Sequence, residues 1–267
     1  MSPPPTPSRL GLDFVDALAG RGRSCFTTNE AQQALGGETR AVQATLRRLR
    51  KRAEIATPVR GFHVILPPEH RAAGCRPAIE FIDELAAFLE TPYYVALLSA
   101  AELHGAAHQR PQVTQVMVPT RHRDVRCGSV RIQFLLRENA AAIPVVLKNT
   151  PTGTVRVATP EATALDLVGY VDHAGGLGNV ATVLKELAEE MAGPKLAAVV
   201  GASPSSWAQR VGYLLDAVGA SELAAAIEPA AGGLRTSWAL LDPRGPSSGA
   251  RSRRWRLVTN VAVEADL

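Results

Sequence analysis

Apolar residues recur at helical spacing through the first fifty positions. Leu10, Phe14, Val15 and Leu18 share one face and predict a helix that stops near Gly20-Arg-Gly22. Thr27-Thr-Asn-Glu30 reads as a capping box: the Thr27 hydroxyl takes the Glu30 amide, and the Glu30 carboxylate answers. A short second helix follows to Leu35 and ends at Gly36-Gly37. A third helix is expected from Glu38 to Ala53, with Val42, Leu46, Leu49 and Ala53 as its core positions. Two extended runs, Ile55–Val59 and Phe62–Leu66, flank Arg60-Gly61 and predict a β-hairpin. Three helices and then a hairpin within about 60 residues is the winged helix-turn-helix pattern. Pro67-Pro68 closes the unit.

The remainder reads as a larger mixed α/β domain, so the expected fold class is α+β. The expected division is 1–70 and 71–267, with residues 1–8, rich in Pro, Ser and Thr, disordered. Helices are expected at Ala78–Glu90 and Tyr93–His104, the second nearly apolar and hence buried. Strands are expected at Gln115–Pro119, Val130–Leu136, Val145–Lys148 and Thr154–Ala158, the last two joined by a turn at Pro151-Thr-Gly153. Thr159 can cap a helix that has Pro160 at its first position and Glu161 in its first turn. Further helices are expected near 160–172, 179–191, 194–200, 204–218 and 220–227, then a flexible loop at Gly245–Ser252 and a late strand at Arg254–Val263.

Composition narrows the class. Hydrophobic residues make up 46% of the 267 and charged residues 20%, the balance of a globular chain. No apolar run approaches the roughly 18–20 residues that a membrane helix requires. The opening MSPPPTPSR has no apolar core segment, so no secretory signal is expected. Cys25, Cys75 and Cys127 fit no C-x-x-C pattern and suit a reducing compartment. The expected location is the cytoplasm, with no membrane partner.

Charge adds more. The net charge is +4, yet residues 1–68 alone carry +5 and residues 69–267 carry −1. A basic module beside a neutral body points to nucleic acid. On the third helix, Arg40, Gln43, Arg47 and Lys51 fall opposite the apolar face, with Ala44 among them and Arg48 and Arg52 flanking. Arg can bond guanine O6 and N7 in a fork, and Gln can do so at adenine N6 and N7. Lys51 and the flanking arginines read as phosphate contacts. Arg60 at the hairpin tip, with His63 after it, reaches for the backbone or minor groove. The candidate DNA-binding residues are Thr28, Arg40, Gln43, Arg47, Arg48, Lys51, Arg60 and His63.

The large domain offers little catalytic chemistry. His104 and His108 have helical spacing for a metal, but Gly105 interrupts them and no third ligand follows. There is no G-x-S-x-G and no P-loop, and Gly175-Gly-Leu-Gly178 reads as a turn between helices. Glu161 and Asp166, five apart, do not face one another. A metal-dependent nuclease would require a Glu-x-Lys beside a spaced Asp, and the 130–166 region offers Glu138 and Asp166 without it. No catalytic residue, metal or cofactor is expected.

Several segments together resemble the AbiEi family of antitoxins, which is paired with AbiEii toxins of nucleotidyltransferase type. They are Arg60-Gly-Phe-His-Val-Ile-Leu-Pro67, Phe81-Ile-Asp-Glu-Leu85, the long block Pro92–Pro111, Thr159–Leu167, Gln209-Arg-Val-Gly212, and Arg254–Asn260 with Glu264. Ala53 departs from the glycine often found in the family between recognition helix and wing. The resemblance implies a non-enzymatic bacterial autorepressor with an N-terminal winged helix and a C-terminal antitoxin domain. The family binds inverted repeats in its own promoter and counteracts the toxin in the type IV manner, without a stable complex. The expected state is a monomer in solution, or two copies on double-stranded DNA. Ser99, His104, His108 and Arg110 are the expected antitoxicity residues. The alternatives are a stand-alone regulator whose large domain senses a ligand, and a nucleic-acid-processing enzyme.

Overall fold

The computed structural model describes residues 7–106, 111–234 and 237–263. It is a mixed α+β chain with several sheets. The chain opens with α1 (Pro7–Ala19), β1 (Cys25–Thr27), α2 (Thr28–Leu35), α3 (Thr39–Lys51), β2 (Ile55–Val59) and β3 (Phe62–Ile65). The expected disorder at 1–8 is thus corrected at Pro7 and Ser8, which begin α1; residues 1–6 lie outside the described residues. The three strands form an antiparallel sheet in the order β1-β3-β2. Strand β1 was absent from the sequence reading, since three residues are too few to show a period. Val15, Leu18, Phe26, Ala31, Val42, Leu46, Leu49, Ile55 and Ile65 form the core under this sheet. The capping box is realised in full: Glu30 N–H donates to Thr27 Oγ1 at 3.1 Å, and Thr27 N–H donates to Glu30 Oε2 at 2.6 Å.

Helix α3 ends two residues before its expected limit in a Schellman arrangement. Glu54 N–H donates to the Leu49 carbonyl and Ala53 N–H to the Arg50 carbonyl, each at 3.0 Å. This ending places Ala53 in the left-handed region at φ 53°.

Next come α4 (Pro68–Arg71), α5 (Ile82–Phe88), β4 (Tyr94–Val95), α6 (Leu97–Leu103), β5 (Thr114–Val118), β6 (Val125–Cys127), β7 (Val130–Leu136), β8 (Val145–Thr150) and β9 (Gly153–Ala158). The helix expected at Tyr93–His104 is corrected to a strand followed by a shorter helix. Tyr94 and Val95 are buried in extended backbone, Val95 pairing with Val157 of β9, and Leu97, the first residue of α6, takes φ 52°. An apolar run alone does not separate a buried strand from a buried helix. Strands β5 and β7 run parallel, and β6 is antiparallel to β7.

The chain then continues with α7 (Pro160–Gly169), α8 (Gly176–Leu187), α9 (Gly193–Gly201), α10 (Ser205–Ala217), α11 (Ser221–Leu234), β10 (Ala239–Leu240), β11 (Ala250–Ser252) and β12 (Leu257–Thr259). The late strand is shorter than expected, and part of the expected loop is β11. These three strands form a small sheet in the order β10-β12-β11. No helix of the described residues is long and apolar enough to cross a membrane.

The chain divides into two compact units. One runs to Tyr93 and takes in Gln112–Ala141 and Leu147–Arg156; the other comprises Tyr94–Pro111, Ala142–Val146 and Val157–Leu267. All three cysteines are free and buried within the first unit. The fold brings two of them together: the neighbouring Cys127 thiol, and then burial, push the Cys75 thiol far above its ordinary range.

Candidate functional site

In the first unit a cleft of about 650 Å³ opens between α3 and the β2–β3 hairpin. Helix α3 supplies Gln43, Leu46, Arg47 and Arg50; the hairpin supplies Thr57, Arg60, Gly61 and His63; α2 supplies Thr28. Local structure fixes each contribution. The buried row Val42, Leu46 and Leu49 anchors α3 and turns Gln43, Arg47 and Arg50 outward. The tight turn at Arg60-Gly61 holds the hairpin tip against α2, where Thr28 N–H donates to the Gly61 carbonyl at 2.9 Å. Thr28 is the first residue of α2, so the positive end of that helix adds to the field of the guanidinium groups.

The lining is cationic without internal compensation. Among the described residues no carboxylate lies within ion-pair distance of Arg47, Arg50 or Arg60. Beneath them sits His63, 6% exposed and stacked on Phe26 with ring centroids 5.1 Å apart. Its Nε2 lies 2.9 Å from Thr28 Oγ1 and its Nδ1 lies 3.0 Å from Thr57 Oγ1. Burial, and then the charge of Arg50, lower the imidazole to about 4, so it is neutral at ordinary pH.

The structure therefore gathers Thr28, Gln43, Arg47, Arg60 and His63 into one cleft. Arg40 in the first turn of α3 and Lys51 in the last are exposed on the same helix, outside the cleft lining. Arg48 lies back along the opposite flank, its guanidinium donating to the Ala44 carbonyl at 3.3 Å and to Thr45 Oγ1 at 3.1 Å. His63 sits at the base of the cleft with both ring nitrogens engaged, so it meets the other lining groups rather than open solvent. Two lining residues escaped the sequence reading, Arg50 and Thr57. Arg50 is seven residues after Gln43 and so lies within about 20° of it on the helix. Which flank of α3 faces the hairpin is a tertiary fact that no helical projection carries.

In the second unit the antitoxicity candidates Ser99 and His104 lie on and just after α6. Ser99 is buried, and His104 Nε2 is 2.7 Å from the Ala158 carbonyl. His108 and Arg110 fall outside the described residues. The other motif residues of this unit build its interior. Thr159 caps α7, with its side chain accepting from Ala162 N–H, and Pro160 occupies the first turn. The Glu161 carboxylate accepts from the Ala192 amide at 3.0 Å, and Asp166 accepts from the Tyr94 hydroxyl at 3.0 Å. On α10, Gln209 Nε2 donates to the Ser237 and Arg256 carbonyls at 2.8 and 3.0 Å, and Arg210 Nε to the Leu240 carbonyl at 3.0 Å. The indole of Trp255 packs on Gly212 and donates to Asp216 at 2.7 Å. These residues hold the β10–β12 sheet onto α10.

No curated protein matches the chain. Among solved structures, the RV2827C protein from Mycobacterium tuberculosis shares the fold with a TM-score of 0.68 at 18% identity, over 96% of this chain and 92% of that one. The family model of the AbiEi antitoxin C-terminal domain matches residues 94–217, the stretch that holds Tyr94, Asp166, Gln209 and Gly212. That match spans the second unit's central stretch, less than half of the chain, and supports an AbiEi-family antitoxin.

Proposed function

We propose that the protein is a DNA-binding transcriptional autorepressor and the antitoxin of a type IV toxin–antitoxin system. In this reading residues 1–70 form a winged helix-turn-helix, with α3 as the recognition helix and the β2–β3 hairpin as the wing. Residues 71–267 form the antitoxin domain, which counteracts a nucleotidyltransferase-type toxin in the cytoplasm.

The observation that carries the DNA reading is the cationic cleft between α3 and the hairpin, with Arg47, Arg50 and Arg60 free of carboxylate partners among the described residues. An α-helix fits the major groove of B-DNA, and guanidinium groups suit both guanine edges and phosphates. Arg40, Gln43 and Arg47 are assigned to base edges, Lys51 and Arg48 to phosphates, and Arg60 to the backbone beside the wing. One such helix covers few base pairs, so two copies on an inverted repeat supply the specificity. The match of residues 94–217 to the AbiEi antitoxin C-terminal domain supports the antitoxin half, and Ser99, His104, His108 and Arg110 are the residues assigned to it.

Two assays test this. A gel shift on the chain's own upstream region is expected to show saturable binding that disappears when the inverted repeat is scrambled. Co-expression with the product of the neighbouring gene is expected to restore growth. Equal binding to scrambled DNA would overturn the repressor assignment, and continued growth arrest would overturn the antitoxin assignment.

A further inference from the structure

The cleft contains a feature that DNA binding by arginines does not require. Thr57, His63 and Thr28 form one hydrogen-bonded chain across β2, β3 and the start of α2, with links of 3.0 and 2.9 Å. The ring is held in place by its burial and its stack on Phe26.

A neutral imidazole carries one N–H, so this chain can run in only two directions. In the first, Thr28 O–H donates to Nε2 and Nδ1–H donates to Thr57. Thr28 then offers the cleft only lone pairs. In the second, Thr57 O–H donates to Nδ1 and Nε2–H donates to Thr28 Oγ1. The hydroxyl proton of Thr28 is then free to donate into the cleft. Every guanidinium there is also a donor. With the chain in its second direction, Arg50, Arg60 and Thr28 present donors beside Gln43, whose amide both donates and accepts, and the ligand those three match is an acceptor-only anion. A phosphodiester has that chemistry: two anionic oxygens and no proton to give.

We infer that this cleft is a phosphodiester subsite and that His63 is its positioning residue, selecting the direction in which Thr28 donates to a phosphate oxygen. The inference rests on the DNA-binding reading. It adds to it a neutral contact, built by a buried relay, that counterion release does not register.

The test is duplex binding by fluorescence anisotropy on a short mixed-sequence duplex, over a range of salt. The variants are Thr28→Val, Thr28→Ser, His63→Phe and the Val/Phe double substitution. Thr28→Val removes the hydroxyl at nearly constant shape, and His63→Phe keeps the ring stack and removes both nitrogens. Each is expected to weaken binding about tenfold, the worth of one hydrogen bond to a charged group. The double variant is expected to bind no worse than either single one, because the relay is a single device. Thr28→Ser is expected to restore wild-type affinity. The slope of log Kd against log salt stays at its wild-type value in all four, since no charge has been removed. In the wild-type protein, ¹⁵N spectra of His63 are expected to report the Nε2–H tautomer once duplex is added.

Wild-type affinity in Thr28→Val, additive losses in the double variant, or an Nδ1–H tautomer in the complex would each overturn the relay while leaving DNA binding intact. Failure of the wild-type chain to bind any duplex would overturn the DNA reading and the relay with it. Should His63→Phe not fold, the Thr28 pair and the tautomer still decide.

Discussion

Gly212 and Trp255 meet so closely that a Cβ on Gly212 would sit 2.2 Å from the indole. The ring has little freedom to retreat, because it is buried and its Nε1 is bonded to Asp216 at 2.7 Å. Gly212→Ala is therefore expected to destabilise the chain by about 1–3 kcal/mol, the usual cost of overpacking. A lowered urea midpoint at constant slope would show it, and an unchanged midpoint would contradict the packing described.

Ala53 makes the opposite prediction. It occupies the left-handed position of a Schellman motif, at φ 53°, where a Cβ costs roughly 1–2 kcal/mol. Glycine removes that cost but loses more entropy on folding, so Ala53→Gly is expected to stabilise by on the order of 1 kcal/mol or somewhat less. A rise in Tm checks it; a fall would mean that the Ala53 methyl makes contacts outweighing the strain.

His63 sets a pH dependence. Its folded-state value, about 4, lies below the ordinary 6.5. Between those values the unfolded chain binds more protons than the folded one, so stability falls as the pH drops through that window. Above pH 6.5 the contribution is complete. Urea titrations at pH 7, 5.5 and 4.5 are expected to show progressive loss, with a shallower loss in His63→Gln. Equal pH slopes in the two proteins would contradict the buried neutral imidazole.

Tyr94 and Asp166 are both fully buried and joined at 3.0 Å. Tyr94→Phe removes the donor to a buried carboxylate at little change in shape. A destabilisation of about 1–3 kcal/mol is expected from urea unfolding, the cost of leaving such an acceptor short of a partner.

The helices were legible where periodicity was strong. The core positions Val42, Leu46 and Leu49 of α3 (though not Ala53, which lies past its end), the capping box at Thr27, and the Thr159-Pro160 start of α7 follow from local patterns whose physics is local. Strands β1, β4 and β6 were not legible, since two or three residues carry no period, and the pairing partners of β1 and β4 are also distant in sequence. The same limit explains the site. Arg47 and Gln43 stand out on a helical projection, but Arg50 and Thr57 join them only because the hairpin folds over one flank of α3. His63 read as a surface reader from its place beside the turn. Its neighbours, Phe26, Thr28 and Thr57, are brought to it by the β1–β3–β2 sheet.

The central claim is that α3 lays its cationic face on duplex DNA. The most direct measurement is the salt dependence of duplex affinity for the wild-type chain and for an Arg47→Ala/Lys51→Ala double substitution. Binding that falls steeply with salt, and a double variant that binds more weakly with a slope smaller by about 2, is the predicted result. Affinity and slope left unchanged by the two substitutions would contradict it.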